Sequence, residues 1–227
     1  VRGFRIEESN GNLSILFKTK PVFWERFASE LIKDRVILDV ENATTVKDKL
    51  VYVVYSLWKF LKTYEKRNVV CDLTLLKHGV FSSGKDGELF ETYGHIHEKN
   101  YGEFYKTLKN DCFVLLADKS SKKAYLIELK EGKSIFIPPN CIHRLISKDK
   151  DCLVAGFTIK GTGHDYSVIK GKGFPFHLFK KRGKIVPVAN PKYKNFELIV
   201  QKNKTKLDAE NLFFKNIRKL THILKGI

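Results

Sequence analysis

Between Val69 and about Pro187 the chain is a succession of short apolar runs, each cut off by turn residues. VVCDLTLLKHGVF is broken by SSGKDGE, and NDCFVLLAD, KAYLIELKEGKSIFIPP and DCLVAGFTI follow. Many short strands at regular spacing make a sandwich or a barrel, so the expected class is all-β. The DKSSKK and KEGK segments read as hairpin turns, with Gly132 available where a positive φ is wanted.

The flanks are different. In PVFWERFASELIKD, Trp24, Phe27 and Leu31 recur at helical spacing, with Phe23 close to the same face, which predicts a short N-terminal amphipathic helix. DKLVYVVYSLWKFLKTYEKR has the length and lysines of a helix, but its β-branched and aromatic residues favour a strand over Val51 to Leu57. Near the C-terminus Asp208 is placed to cap a helix carrying Phe213, Ile217, Leu220 and Leu224, with Gly226 where it would stop. The expected organisation is a leading segment over 1–68, a barrel over 69–187 and a basic extension with an accessory helix over 188–227.

The 227 residues suffice for one well-buried domain without disulfide or structural-metal support. Cys71, Cys112, Cys141 and Cys152 form no C-x-x-C pair and read as reduced thiols in apolar surroundings. The opening VRGFRIEESNGNL has no apolar h-region, and no apolar run approaches a membrane span, so a soluble, cytoplasmic protein is expected. Of the net charge of +17, residues 170–227 carry 15 Lys/Arg against 3 Asp/Glu, or +12. In KYKNFELIVQKNKTK the lysines are spread singly, without a nucleic-acid motif, and suit a solvated surface better than an RNA or membrane contact.

One stretch, TYGHIHEKNYGEFY, concentrates the groups that do chemistry. Side chains alternate along a strand, so His95 and His97 share a face, as do Glu103 and Tyr105 after the EKNYG turn. If the two strands pair, imidazoles and a carboxylate converge, a donor set suited to a divalent iron, manganese, nickel or zinc ion. An H-x-H pair alone is more often a surface feature. The second element, EGKSIFIPPNCIHRLIS, runs through a turn, a buried strand and a proline corner to His143, a fourth donor. His78, His177 and His222 have no such neighbours and receive no role.

GHIHEKNYGE resembles the first cupin motif and GKSIFIPPNCIH the second. With DLTLL, EFY and GTGHDYSVIKGKGF, and with NPKY near Asn190, the pattern from about Asp72 to Phe174 is similar to the cupin-type phosphoglucose isomerases of archaea and some bacteria. The resemblance implies a jelly-roll barrel holding one divalent metal on His95, His97, Glu103 and His143. It implies that Thr74, Thr92 and Gly94 hold a phosphate, that Tyr101, Tyr105, His164 and Tyr166 line a sugar pocket, and that Glu103 and His164 serve catalysis. The implied reaction interconverts glucose 6-phosphate and fructose 6-phosphate in a homodimer.

The chain departs from that family pattern in a His97-to-Glu103 segment one residue short, in extra residues around FSSGKDG, in Ser147 for an asparagine and in Thr158 for a pocket tyrosine. Two rival readings stand beside the isomerase: the same metal with another phosphorylated aldose, or a non-catalytic cupin that binds a sugar phosphate or, through its basic tail, nucleic acid.

Overall fold

The computed structural model describes residues 3–65, 68–118 and 120–227; Lys119, in the turn expected at DKSSKK, lies outside them, as do residues 1, 2, 66 and 67 of the leading segment. The strands, in chain order, are β1 (Phe4–Ser9), β2 (Asn12–Phe17), β3 (Phe23–Phe27), β4 (Leu50–Ser56), β5 (Val69–Leu76), β6 (Gly87–Glu88), β7 (Ile96–His97), β8 (Glu103–Lys109) and β9 (Cys112–Asp118). They continue as β10 (Lys123–Leu129), β11 (Ser134–Ile137), β12 (Ile142–Ile146), β13 (Cys152–Ile159), β14 (His164–Asp165), β15 (Phe176–Lys181), β16 (Lys184–Ala189) and β17 (Glu197–Lys202). The helices are α1 (Ala28–Lys33), α2 (Val40–Ala43), α3 (Leu57–Phe60), α4 (Lys62–Glu65), α5 (Ala209–Lys215) and α6 (Ile217–Lys225).

A six-stranded sheet in the order β11-β8-β13-β5-β4-β3 faces a four-stranded one in the order β12-β9-β10-β17. Tyr52, Leu76, Tyr105 and Val154 from the first and Val114, Leu116, Ile127 and Leu145 from the second belong to one buried cluster, which fills the barrel between the sheets. A second cluster lies on the outer face of the six-stranded sheet. There Leu73, Leu75, Phe104 and Phe157 pack under Leu57 and Tyr64 and under Phe213, Leu220 and Leu224 of the C-terminal helices. A strand covered on both faces needs apolar residues on both, which is why β5 reads almost continuously apolar. Its two interruptions, Asp72 and Thr74, both point into the barrel.

The N-terminal prediction needs correction. Phe23 to Phe27 form β3, paired with β4 in the register Trp24↔Val54, and the helix begins only at Ala28. Trp24 and Phe27 are therefore exposed at a sheet edge, and only Leu31 is buried as expected. The open edge of β4 offers hydrogen bonds that outweigh a helical periodicity read from three residues. The strand expected over Val51 to Leu57 is β4, Leu50–Ser56.

At the C-terminus Asp208 caps α5, its Oδ1 accepting from Asn211 N at 3.0 Å, and Gly226 ends α6 at φ 72°. The single helix expected there is two, because Asn216 breaks it and then caps the second with its own Oδ1. These helices do more than cover the sheet: Leu224 O accepts from Gly102 N at 2.7 Å, so α6 holds the loop that leads into Glu103.

Candidate metal centre and its cavity

Each donor of the H-x-H stretch is positioned by backbone pairing. His95 and His143 form an antiparallel bridge, His95 N donating to His143 O at 3.2 Å and His143 N to His95 O at 3.0 Å. Gly94, just before it, has φ 81°, and a Cβ there would lie 3.1 Å from His143 O and 2.9 Å from Ile169 Cδ1. Only glycine brings the two strands this close. Glu103 opens β8, where Ile137 pairs with it, and the shortened EKNYG turn leaves its carboxylate directed at the histidines.

The result is a tight group. Ligand atoms of His95, His97, Glu103 and His143 all lie within 4.8 Å of one another. His143 Nε2 is 3.0 Å and His97 Nε2 3.4 Å from Glu103 Oε2. The opposite ring nitrogens are engaged: His97 Nδ1 donates to Tyr101 O at 2.7 Å and His143 Nδ1 to Cys141 O at 2.9 Å. That fixes the tautomer and directs each Nε2 lone pair at the centre, the usual arrangement behind metal-ligating histidines. The Nε2 atoms of His95 and His97 are buried without a hydrogen-bond partner, the condition an ion would relieve.

Charge in the centre follows from these contacts. Burial opposes ionisation of Glu103, yet the imidazoles of His143 and His97 beside it hold its carboxyl down to about 2. Burial, reinforced by the charges of His143, His164 and His97, pushes His95 well below the usual histidine range. Burial also disfavours charge on His97, but Glu103 and the Tyr101 carbonyl reverse that and raise it.

The centre opens on a cavity of about 360 Å³. Its wall includes Thr74, Thr92, Gly94, His95, Glu103 and Tyr105, together with His164 and Tyr166. The GHDY segment reaches the site because β14 pairs with β7, His164 opposite His97, so the two rings lie 5.8 Å apart. His164 stacks closer to His95, at 4.0 Å between centroids, and Tyr166 Oη is 3.4 Å from His164 Nδ1. Gly156 leaves room for Glu103: a Cβ there would stand 2.8 Å from Glu103 Oε1.

Two expected residues sit differently. Tyr101 does not line the cavity; its ring packs with the outer apolar cluster and only its carbonyl serves the centre, through His97. Thr92 lines the wall, but its Oγ1 is already used, accepting from Leu145 N at 3.0 Å. Thr158, in place of the expected tyrosine, also faces the cavity.

Arg26, Tyr52 and Asp72 line the same cavity and escaped the sequence reading. Arg26 donates to Glu30 Oε1 at 2.6 Å and lies over the Tyr93 ring, 5.5 Å from its centroid, with its Nε buried and unpartnered. Reading its strand as a helix put it on the wrong face. Asp72 stands in an apolar run and opens DLTLL, and neither feature marks it as a cavity residue; burial raises its carboxyl to about 6.

The family model described as glucose-6-phosphate isomerase (GPI) matches residues 32–193. The chain is 31% identical over 149 residues to glucose-6-phosphate isomerase of Thermococcus litoralis, covering 65% of this chain and 74% of that one. It is 27% identical over 155 residues to the enzyme of the same name from Thermococcus onnurineus, covering 67% and 78%. A solved structure of oxalate oxidase in complex with the substrate analogue glycolate is similar at a TM-score of 0.36 and 18% identity, over 44% of this chain and 46% of the other.

Proposed function

This chain belongs to the glucose-6-phosphate isomerase family, and we propose that it interconverts glucose 6-phosphate and fructose 6-phosphate with one divalent metal ion held by His95, His97, Glu103 and His143. The observation that carries the reading is the convergence of three histidines and one glutamate, with two Nε2 atoms buried and unpartnered, at the wall of a cavity sized for a small phosphorylated sugar. Bound there, an iron, manganese, nickel or zinc ion supplies Lewis-acid stabilisation of charge developing on the sugar oxygens.

The chain's own residues do the rest. Arg26 supplies positive charge for the phosphate, beside Thr74, Thr92 and the Gly94 backbone. This leaves the carbon chain extending toward Glu103, between Tyr105 on one side and His164 and Tyr166 on the other. Aldose–ketose isomerisation moves hydrogen between adjacent carbons, and Glu103, ionised at neutral pH, is in the form that accepts a proton at Oε1, the oxygen beside Gly156. His164, lowered by burial, is neutral and suited to exchange a hydrogen bond with a sugar hydroxyl.

The reading extends to a homodimer acting in the cytoplasm on a phosphorylated hexose. No helix among the described residues is long and apolar enough to cross a membrane. The apolar face of the basic tail is spent on the sheet, through Phe213, Leu220 and Leu224, which counts against its being an RNA-binding arm.

The test is conversion of fructose 6-phosphate to glucose 6-phosphate by purified protein before and after chelation, then with each candidate ion restored. Turnover that chelator abolishes and an ion returns is expected. Failure under every ion would overturn the assignment.

A further inference from the structure

The cavity has a second carboxylate that the reaction outlined above does not use. Asp72 lies in the middle of β5, opposite Ser56 of β4 and Gly156 of β13. Its neighbours Cys71 and Leu73 belong to the outer apolar cluster, so alternation turns Asp72 inward, where it lines the cavity with Ser56, Trp58 and Thr158. Ser56 and Trp58 both hydrogen-bond the carboxylate, and Lys59, its Nζ 5.2 Å from the Trp58 ring centroid, favours its charge. Even so, Oδ1 is buried and has no partner. A carboxylate oxygen enclosed without a donor is costly to keep, and beside an open cavity it calls for a donor from outside the chain.

Position says which part of a ligand that donor belongs to. Ser56, opposite Asp72, is four residues along β4 from Tyr52, the partner of Arg26, which is about 13 Å at the usual rise of a strand. Asp72 is thus at the far end of the cavity from the guanidinium. Glu103 Oε1 lies against Gly156, the residue opposite Asp72, so only a glycine separates the two carboxylates across β13.

We propose that Asp72 is a specificity-determining residue whose carboxylate accepts a hydrogen bond from a hydroxyl at the non-phosphorylated end of the sugar, in a subsite completed by Ser56, Trp58 and Thr158. The inference rests on the sugar-phosphate reading of the cavity. It gives a chemical use to the room left by Thr158, where a tyrosine was expected: a short hydroxyl leaves space for a substrate hydroxyl to reach Asp72.

The experiment compares wild type, Asp72→Ala and Asp72→Asn by steady-state kinetics, by fructose 6-phosphate binding in calorimetry, and by competitive inhibition with inorganic phosphate. Expected is a KM and dissociation constant for fructose 6-phosphate raised about tenfold in Asp72→Ala, less in Asp72→Asn, whose amide oxygen still accepts, with kcat changed less than KM. Phosphate inhibition should stay within about twofold, because the phosphate end is untouched. Unchanged sugar binding in Asp72→Ala would overturn the proposal, and so would equal loss of phosphate and sugar binding in both variants. If wild type binds fructose 6-phosphate without turning it over and Asp72→Ala weakens that binding, the isomerase reading fails while the subsite stands; if wild type binds no sugar phosphate, both fall.

Discussion

Two buried groups of histidine and glutamate occur among the described residues, and they behave oppositely. Glu88, Glu91 and His177 could geometrically hold an ion as well as His95, His97, Glu103 and His143 could. The first group, however, is already supplied with positive charge. Arg144 pairs with Glu91, and His177 Nδ1 lies 2.5 Å from Glu88 Oε1, while Leu38 N and Asp39 N donate to Glu88 at 2.8 and 2.9 Å. Two carboxylates face one guanidinium and one imidazolium, and all four side chains have no exposed surface. Burial opposes charge on His177, but Glu88 and Glu91 raise it to about 9. The second group has one carboxylate among three imidazoles and a cavity at its edge, whereas no residue of the first lines that cavity. A cluster whose charges balance within itself is a buried clasp; one with a single carboxylate among imidazoles beside an opening is the better candidate to hold an ion.

The largest expected effect falls on the open group. Glu103→Gln should lower kcat about 10³-fold, the scale of losing a positioned acid–base group, in a stopped assay on metal-loaded protein. It should also weaken metal retention, read by elemental analysis. The corresponding change in the closed group, His177→Ala, should leave one metal per chain but destabilise the fold by about 3–5 kcal/mol in denaturant titration, since it strands a buried carboxylate. A loss of bound metal in His177→Ala at full stability would erase the distinction between the two.

Proton linkage separates them further. His177 is raised above its unfolded value near 6.5, so its stabilising contribution is fully present below that pH and is lost as pH rises through about 9. Wild type should lose about 3 kcal/mol between pH 6.5 and 10 beyond what His177→Gln loses, measured by urea unfolding at each pH. The smallest effect belongs to the glycine that seats the open group. Gly94→Ala, at φ 81° and against His143 O, should cost about 1–2 kcal/mol and widen the His95–His143 bridge, detectable as weaker metal binding.

The open group was legible in the sequence because each of its parts is local: an alternation that puts His95 and His97 on one face, and a proline corner before His143. The closed group was not, because His177 meets Glu88 across 89 positions of chain and nothing near it in sequence marks the pairing. Asp72 was hidden for a related reason. In a strand covered on both faces, one polar residue in an apolar run does not say which side is a core and which a cavity. Arg26 was lost to a wrong period, since three apolar residues at helical spacing cannot report that a sheet edge is waiting beside them.

The sequence alone therefore determined the β class, the four candidate donors, the helix-capping residues Asp208 and Gly226, and the family, all of which depend on short-range pattern and spacing. The tertiary structure decided which side of each strand faces the cavity, that Arg26 and Asp72 stand at its two ends, that Tyr101 turns away, and that the C-terminal helices close the outer face of the sheet. Those outcomes depend on which distant strand supplies hydrogen bonds and apolar cover, and no local stretch of chain contains that information.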